Sequence, residues 1–216
     1  MVDSGNILEQ SFRYAKEGLG GKWETWLFLI ISCIIFPLFF GYMVRIYRGG
    51  DTSPQLDNWG EMFSEGIKLL LVVLCYALPV LIFEFVLFAS PGLVKTSPAD
   101  PGALSGLIIA VLIGSIILVS GAVLVWLLTT TAGIRFARTN NFFEAFNFRE
   151  IILHISRIGW MDYIVALVMM LIVLCIITII CLVIPYVGLI LLLALLPFMG
   201  LFSSRYITLL YDSVNP

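Results

Sequence analysis

Charged residues along the chain are separated by long apolar stretches. Four stretches carry at most one charge, and the charges that flank them are Glu24 and Arg45 (20 residues between them), Lys68 and Lys95 (26), Asp100 and Arg135 (34), and Asp162 and Arg205 (42). A charged side chain at the centre of a bilayer costs about 2.5–3.5 kcal/mol, whereas about 20 apolar residues in a helix cross its hydrocarbon core. The pattern therefore predicts an all-α fold, a polytopic transmembrane helical bundle.

The last stretch is too long for a single span. As one helix its 42 residues would measure about 63 Å, roughly twice the thickness of the hydrocarbon core. We expect the chain to turn at Pro185, because proline lacks a backbone donor and the nearby Gly188 tolerates unusual backbone angles. This predicts about five spans, over residues 23–46, 66–89, 104–136, 152–183 and 187–210.

The first of these spans has an alternative interpretation. Residues 23–47 also fit a re-entrant hairpin around Pro37, in which each arm has about a dozen residues and the turn must be shielded from lipid by protein. With five spans, eight Lys and Arg residues lie on the side of the C-terminus and four on the other, whereas the hairpin leaves only Lys95 on the other side. Both arrangements place the C-terminus in the cytoplasm, and the lower backbone cost favours five spans in the cell membrane.

Residues 1–21 form a separate segment ahead of a single transmembrane domain, residues 22–216. Apolar side chains recur in this segment at helical spacing, at Ile7, Leu8, Phe12, Ala15 and Leu19. This predicts an N-terminal amphipathic helix at the membrane interface, and the pattern fits a solvated helical tail equally well.

Composition and charge exclude several functions. The chain is 61% hydrophobic and 12% charged, and its net charge of -2 offers no basic surface for nucleic acid. His154 is the sole histidine and cannot form a zinc site by itself, and no catalytic motif or phosphate-binding glycine loop is present. The four cysteines lie inside spans and are interpreted as packing residues: Cys33, Cys75, Cys175 and Cys181. We expect no metal, no cofactor and no enzymatic activity.

Two segments of the chain resemble each other. Each has a helix that ends in Arg-x-x-Arg, then a loop, then an aromatic-x-Glu-x-Phe segment, and then a returning helix. The first copy consists of residues 41–48 and 59–64, and the second copy consists of residues 133–138 and 142–147. We predict two parallel internal repeats, residues 23–90 and 104–183, followed by a closing span over 187–210.

Three motifs carry a resemblance to a known family. They are Gly41-Tyr42-x-x-Arg45-x-x-Arg48, then Pro54-x-x-Asp57-x-Trp59-x-x-x-Phe63-x-x-Gly66-x-Lys68, and Ala137-Arg138 with Phe142, Phe146 and Phe148. On these residues the chain resembles the archaeal membrane proteins grouped as domain of unknown function 4013. The resemblance implies an archaeal polytopic membrane protein. That family has no established activity, so it supplies no catalytic residues.

The arginines of the repeats are the sharpest candidate site. Arg45 and Arg48 lie three residues apart, as do Arg135 and Arg138, so each pair shares one helix face at the cytoplasmic border. Their guanidinium groups are candidate contacts for anionic lipid or a partner protein. Two other interpretations stay open. The arginines are topological anchors, or they pair internally with acids of the adjoining helices, namely Glu61, Glu65, Glu144 and Glu150.

The remaining candidates lie in or beside the spans. Aromatic residues predict two short interfacial helices, at Trp59 and Phe63 and at Phe142 and Phe146. Glu84 is a candidate intramembrane acid, hypothesised to be buried and protonated, on a proton or cation path. A stripe of small residues in the third span predicts close helix packing, within the chain, in a homo-oligomer or against a membrane partner: Gly102, Gly106, Ala110 and Gly114.

Together these features predict a non-enzymatic membrane scaffold, or a protein that binds lipids or a partner. The alternative is a small transporter or channel with a path between the repeats, along Glu84 and Thr129, Thr130 and Thr131.

Overall fold

The structure is a computed structural model that describes residues 3–93, 101–184 and 187–214, with the side chains of 87–93, 101–107 and 110 left out. The described residues contain eight α-helices, one 3-10 helix and no strand, which confirms the all-α prediction. The helices are α1 (Ser4–Leu19), α2 (Trp23–Ile34), α3 (Phe36–Tyr47), α4 (Trp59–Leu93), α5 (Pro101–Thr139), α6 (Phe148–Ile158), α7 (Trp160–Val183) and α8 (Val187–Asp212).

Among the described helices, four are long and apolar enough to cross a membrane. They are α4, α5, α7 and α8, and the chain is therefore a multi-pass membrane protein. Five spans were predicted, and the difference lies in residues 23–46.

Residues 23–46 do not form the single span that the sequence favours. They form α2 and α3, two helices of 12 residues each. The chain breaks at Ile35, because Pro37 has no N–H to bond the carbonyl of Cys33 and its ring clashes with that carbonyl, whereas proline is well tolerated in the first turn of a new helix. The two short arms are those of the hairpin alternative, with the break two residues before the proline.

The chain on either side of this helix pair lies together. The Tyr14 hydroxyl donates to the carbonyl of Thr52 over 3.4 Å. A Cβ atom placed on Gly18 would lie 3.3 Å from the Cβ of Ser53. Residues just before α2 therefore contact residues just after α3, and the pair leads the chain out and back.

Two other predicted boundaries change. The interfacial helix predicted at Trp59 and Phe63 is instead the first turns of α4, so that span begins at Trp59 rather than residue 66. The span predicted over 152–183 is divided at Gly159, whose φ of 97° ends α6 before α7 begins. The other short element is present as the 3-10 helix Phe142–Phe146. The predicted turn at Pro185 lies outside the described residues.

Helix α1 packs against α8 and is no solvated tail. Its buried side includes Ile7, Ala15 and Leu19, as the sequence pattern predicts. Phe12 lies on its exposed side, yet its ring meets that of Phe198 edge-on at 5.3 Å between centroids. A Cβ on Gly18 would approach Leu201 Cδ2 to 2.9 Å. The amphipathic pattern is therefore used for packing within the protein.

Glycines bring α3 and α4 into backbone contact. A Cβ atom on Gly41 would overlap the carbonyl of Met62, and one on Gly66 would overlap the carbonyl of Pro37. Only glycine permits so close an approach between helices.

The residues group into two compact units. Met1–Val72 and Thr130–Pro216 make up the first unit, and Val73–Thr129 makes up the second. The arginines predicted as a site all fall in the first unit, and Glu84 falls in the second.

Candidate functional site

The arginines of α3 and α5 lie in the last turns of these helices, where a positive charge favours the negative end of the helix dipole. The Arg48 Nε donates to the carbonyl of Ala137 at 3.3 Å, and the Arg138 Nε donates to the carbonyl of Tyr47 at 3.2 Å. Each arginine thus binds the carbonyl of the residue that precedes the other arginine. These contacts satisfy acceptors that a helix C-terminus leaves without an internal partner.

Each of these arginines also has a carboxylate partner. Arg48 pairs with Glu65, Arg45 with Asp57 at 2.7 Å, Arg135 with Glu144 at 2.6 Å, and Arg138 with Asp212 at 2.7 Å. Glu65 and Glu144 are partners that the sequence predicts. Glu61 and Glu150 make no ion pair in the described part of the chain.

A fifth arginine, Arg205 of α8, joins the set. It donates to the carbonyl of Gly50 at 2.6 Å, lies 3.4 Å from Asp51, and stacks over the ring of Tyr14 at 4.9 Å. Burial raises the pKa of Tyr14 to about 12, although the positive charge of Arg205 acts against this shift. We call the five arginines and their partners Asp51, Asp57, Glu65, Glu144 and Asp212 the arginine–acid cluster.

The arginine–acid cluster is partly buried and contains equal numbers of positive and negative groups. The side chains of Arg45 and Arg205 are 11% exposed, and that of Glu65 is 5% exposed. One carboxylate oxygen of Glu65 is buried and makes no hydrogen bond in the described structure. An anionic ligand would have to displace a carboxylate already paired with an arginine, so the geometry suits internal pairing better than a phosphate site.

His154 of α6 borders the arginine–acid cluster and is 4% exposed, although no role is predicted for it from the sequence. Its ring stacks on Tyr211 at 3.7 Å, and its Nε2 lies 3.0 Å from the Tyr211 carbonyl. The guanidinium of Arg138 lies over the same tyrosine ring at 5.0 Å. Burial lowers the pKa of His154, the bond to the Tyr211 carbonyl opposes this, and nearby cations lower it further. Because a carbonyl only accepts, Nε2 is the donor in this hydrogen bond.

The aromatic segments after each arginine pair show a shared pattern of burial. Met62 and Ala145 are fully buried, whereas Trp59 and Phe63 are 39% and 40% exposed. Phe142 and Phe146 are half-buried, and their rings lie 5.3 Å apart. The buried position in each segment is the residue after the glutamate, not an aromatic.

Glu84 lies in the second unit, on the wall of a groove between α4 and α5 with a cavity of about 400 Å³. It is half-buried rather than buried, and makes no ion pair in the part of the chain that is described. Thr129 lines the other end of the same groove, and its hydroxyl donates to the carbonyls of its own helix. The hydroxyls of Thr130 and Thr131 instead bind that of Tyr163 in the first unit.

A family model matches the part of the chain that carries the three motifs. The model described as "Protein of unknown function (DUF4013)" matches residues 26–186, which is most of the chain. The chain belongs to the DUF4013 family. Its matched region contains Arg45, Arg48, Arg135 and Arg138, whereas Arg205 and Asp212 lie beyond it. No curated protein and no solved structure matches the chain.

The cysteines and the small-residue stripe of this DUF4013 chain lie apart from the arginine–acid cluster. All four cysteines are free, and the described residues contain no group of His, Cys, Asp and Glu that could hold a metal ion. Gly114 is buried in α5, while the surroundings of Gly102, Gly106 and Ala110 lie outside the described residues. A partner for this stripe, whether a second copy or another membrane protein, stays a prediction.

Several residues of the site are not predicted from the sequence as part of it. Asp212 is 74 residues from Arg138, and no spacing signal links the two. Asp57 and Gly66 do carry a signal, because both belong to the motif that follows the first arginine pair. Arg205 has the same residue type as the cluster but lies in a span without a second arginine nearby.

Proposed function

We propose that this protein is a non-enzymatic membrane scaffold, in which the arginine–acid cluster fixes the ends of the helices and presents a rigid surface at the membrane border. The reciprocal hydrogen bonds of Arg48 and Arg138 carry this proposal. They occupy the guanidinium groups with contacts inside the chain. A protein that binds phosphate groups would instead leave its guanidinium groups available to the ligand.

The same contacts support the predicted internal repeats. Arg48 and Arg138 hold equivalent positions in the two repeated motifs, and each binds the carbonyl of the residue before its counterpart. Met62 and Ala145, which are also equivalent, are both fully buried. Two copies related by an approximate twofold axis would make contacts of this reciprocal kind.

The out-and-back path of α2 and α3 supports a cytoplasmic location for both termini. It brings Arg13, Lys16 and Lys22 to the side that carries the arginine–acid cluster, which leaves Lys95 as the single Lys or Arg assigned to the other side. The positive-inside rule assigns the side with eleven such residues to the cytoplasm.

Replacement of Arg138 separates a scaffold from a lipid or partner receptor. In Arg138→Gln, Asp212 and the Tyr47 carbonyl lose their charged donor, so we expect a lower melting temperature in detergent and a loss of about 1.5–3 kcal/mol in stability. We expect Arg138→Gln/Asp212→Asn to recover part of that loss. A variant that stays fully stable but loses a bound mass in native mass spectrometry would overturn the scaffold and favour the receptor.

Arg149→Gln is the matched control for this experiment. Arg149 is exposed and makes no ion pair in the described residues, so its replacement should leave the melting temperature unchanged.

The groove that holds Glu84 favours transport as a second candidate function. A carboxylate that makes no ion pair with any described residue, on the wall of an apolar groove, suits a cation or proton path. Flux of protons or a monovalent cation into proteoliposomes, compared between the wild type and Glu84→Gln, tests it. Flux that is absent, or equal in both proteins, would remove this candidate.

A further inference from the structure

The C-terminal turn of α1, the start of α2 and the middle of α8 line an open cavity of about 370 Å³ in the first unit. Most of its wall is apolar, and the side chains that form it are Lys16, Leu19, Trp23, Trp26, Leu195 and Phe198. A volume of this size is typical of small-molecule sites.

A second cavity of about 250 Å³ extends the first along α2. It shares Trp23 and Trp26 with the first cavity and adds Leu27, Ile30 and Ala194. The indole N–H of Trp26 donates to the carbonyl of Ala194 at 2.7 Å, which fixes α2 against α8 through a residue that lines both cavities. We call the two together the α2 groove. It follows an apolar helix of 12 residues, or about 18 Å.

The charge at one end of the α2 groove is positive and available. Lys16 is the charged residue among the described side chains of its wall, and it is exposed and makes no ion pair within the described residues. The arginines of the arginine–acid cluster, in contrast, are all paired with carboxylates. The ammonium group at the mouth of the groove is therefore better placed to accept a new anion than any of these arginines.

We propose that the α2 groove binds one anionic membrane lipid, with its phosphate on Lys16 and an alkyl chain along Trp23, Trp26 and Ile30. Charge complementarity selects the head group, because a lysine at the border of an apolar helix attracts anionic lipid. The apolar wall selects the chain, and tryptophans are common where a lipid passes from its head group to its chain. The site is separate from the predicted arginine contacts and goes beyond the scaffold function.

Native mass spectrometry of the full chain in detergent tests this proposal. The probes are phosphatidylglycerol, phosphatidylcholine with the same chains, and inorganic phosphate, each titrated against the wild type, Lys16→Gln and Lys22→Gln. Lys22 is the matched control because it is exposed, makes no ion pair in the described residues, and does not line the groove.

We expect the wild type to bind phosphatidylglycerol more tightly than phosphatidylcholine, and Lys16→Gln to weaken phosphatidylglycerol binding about fivefold, the effect of one lysine at an anionic head group. Lys22→Gln should change it less than twofold. Leu27→Trp, which fills the apolar part without changing charge, should weaken binding of both lipids.

Three results would overturn the proposal. Equal binding of the two lipids by the wild type would show that the groove does not select an anionic head group. Equal effects of Lys16→Gln and Lys22→Gln would show that Lys16 does not bind the head group. Binding of inorganic phosphate as tight as that of the lipid, with no effect of Leu27→Trp, would show that the site binds an anion and no alkyl chain.

Discussion

Arg48 and Arg138 exchange hydrogen bonds across the ends of α3 and α5, each donating from Nε to the carbonyl of the residue that precedes the other. This arrangement ties together two segments that are about ninety positions apart in the chain. Each arginine also holds a carboxylate, so one side chain joins a helix end to a third element. The charged groups at this end of the protein therefore act as connections between helices.

Replacement of Arg48 should be more costly than removal of an exposed charge. In Arg48→Gln, the Glu65 carboxylate is left without its cation while 5% exposed. Loss of one partner of a buried pair costs about 3–5 kcal/mol, and because Arg48 is 36% exposed we expect about 2–3 kcal/mol here. Thermal unfolding in detergent, followed by helical circular dichroism, measures the difference.

A second variant separates the charge effect from a loss of packing. Arg48→Gln/Glu65→Gln removes the unpaired carboxylate, so it should be more stable than Arg48→Gln alone. If both variants are equally unstable, the arginine acts through packing and its bond to Ala137, not through Glu65.

A methyl group added at Gly66 should disrupt the contact between α3 and α4. In Gly66→Ala the new Cβ would overlap the Pro37 carbonyl, which belongs to the backbone and has no room to rotate away. We expect a loss of at least about 2 kcal/mol or failure to fold. The measurement is the yield and melting temperature of the purified protein.

Gly60→Ala is the control for this contact. Gly60 lies in the first turn of the same helix, with open space where a Cβ would be. Its replacement should be neutral or slightly stabilising, because alanine is a better helix former. Equal behaviour of the two alanine variants would show that α3 and α4 are not in backbone contact at Gly66.

Stability should fall as the pH is lowered below about 6.5, the pKa of an unperturbed histidine. Burial lowers the pKa of His154 in the folded protein, and Arg157, Arg135 and Arg138 lower it further. Between the folded and unfolded pKa values the unfolded chain binds more protons, so acid favours unfolding. The melting temperature of the wild type at pH 8 and pH 5 measures this effect.

His154→Gln provides the comparison. The glutamine amide retains a donor for the Tyr211 carbonyl but does not titrate in this range. The wild type should lose more stability than the variant between pH 8 and pH 5. The same pH dependence in both proteins would assign the effect to other groups.

Cysteines introduced at Gly5 and Asn140 should react from the same side of the membrane. The path of α2 and α3 returns the chain to its starting side, so the N-terminal helix and the loop after α5 share one face. The four native cysteines are first replaced by alanine, and labelling with an impermeant thiol reagent is compared in intact cells and opened membranes. Labelling from opposite sides would restore the first of the five predicted spans.

The family and the helical class could be predicted from the sequence because both rest on local information. Apolar runs between charges define α4, α5, α7 and α8, since a charge in the bilayer centre is costly wherever the rest of the chain lies. The motif residues Gly41, Arg45 and Arg48 lie close enough together in the sequence to indicate the DUF4013 family.

The paired state of the arginines could be predicted only in part. Glu65 and Glu144 follow their arginines closely in the chain, so their pairing is within reach of the sequence. The partners of Arg138 and Arg205 are 74 and 154 residues away. No local pattern encodes such pairs.

By itself the sequence determined that the chain is helical, apolar enough to cross the membrane, and charged where its helices end. Only the tertiary structure decided that residues 23–47 form two helices that lead the chain out and back. This path brings the Pro37 carbonyl against α4 at Gly66, where a side chain would not fit. The tertiary structure also decided that the arginines bind within the chain and that Lys16, which makes no ion pair within the described residues, lies beside an apolar groove. Hydrophobicity and helix breaks depend on residues that are neighbours in the chain. Ion pairs form between residues that are close in space, and these can be far apart in the sequence.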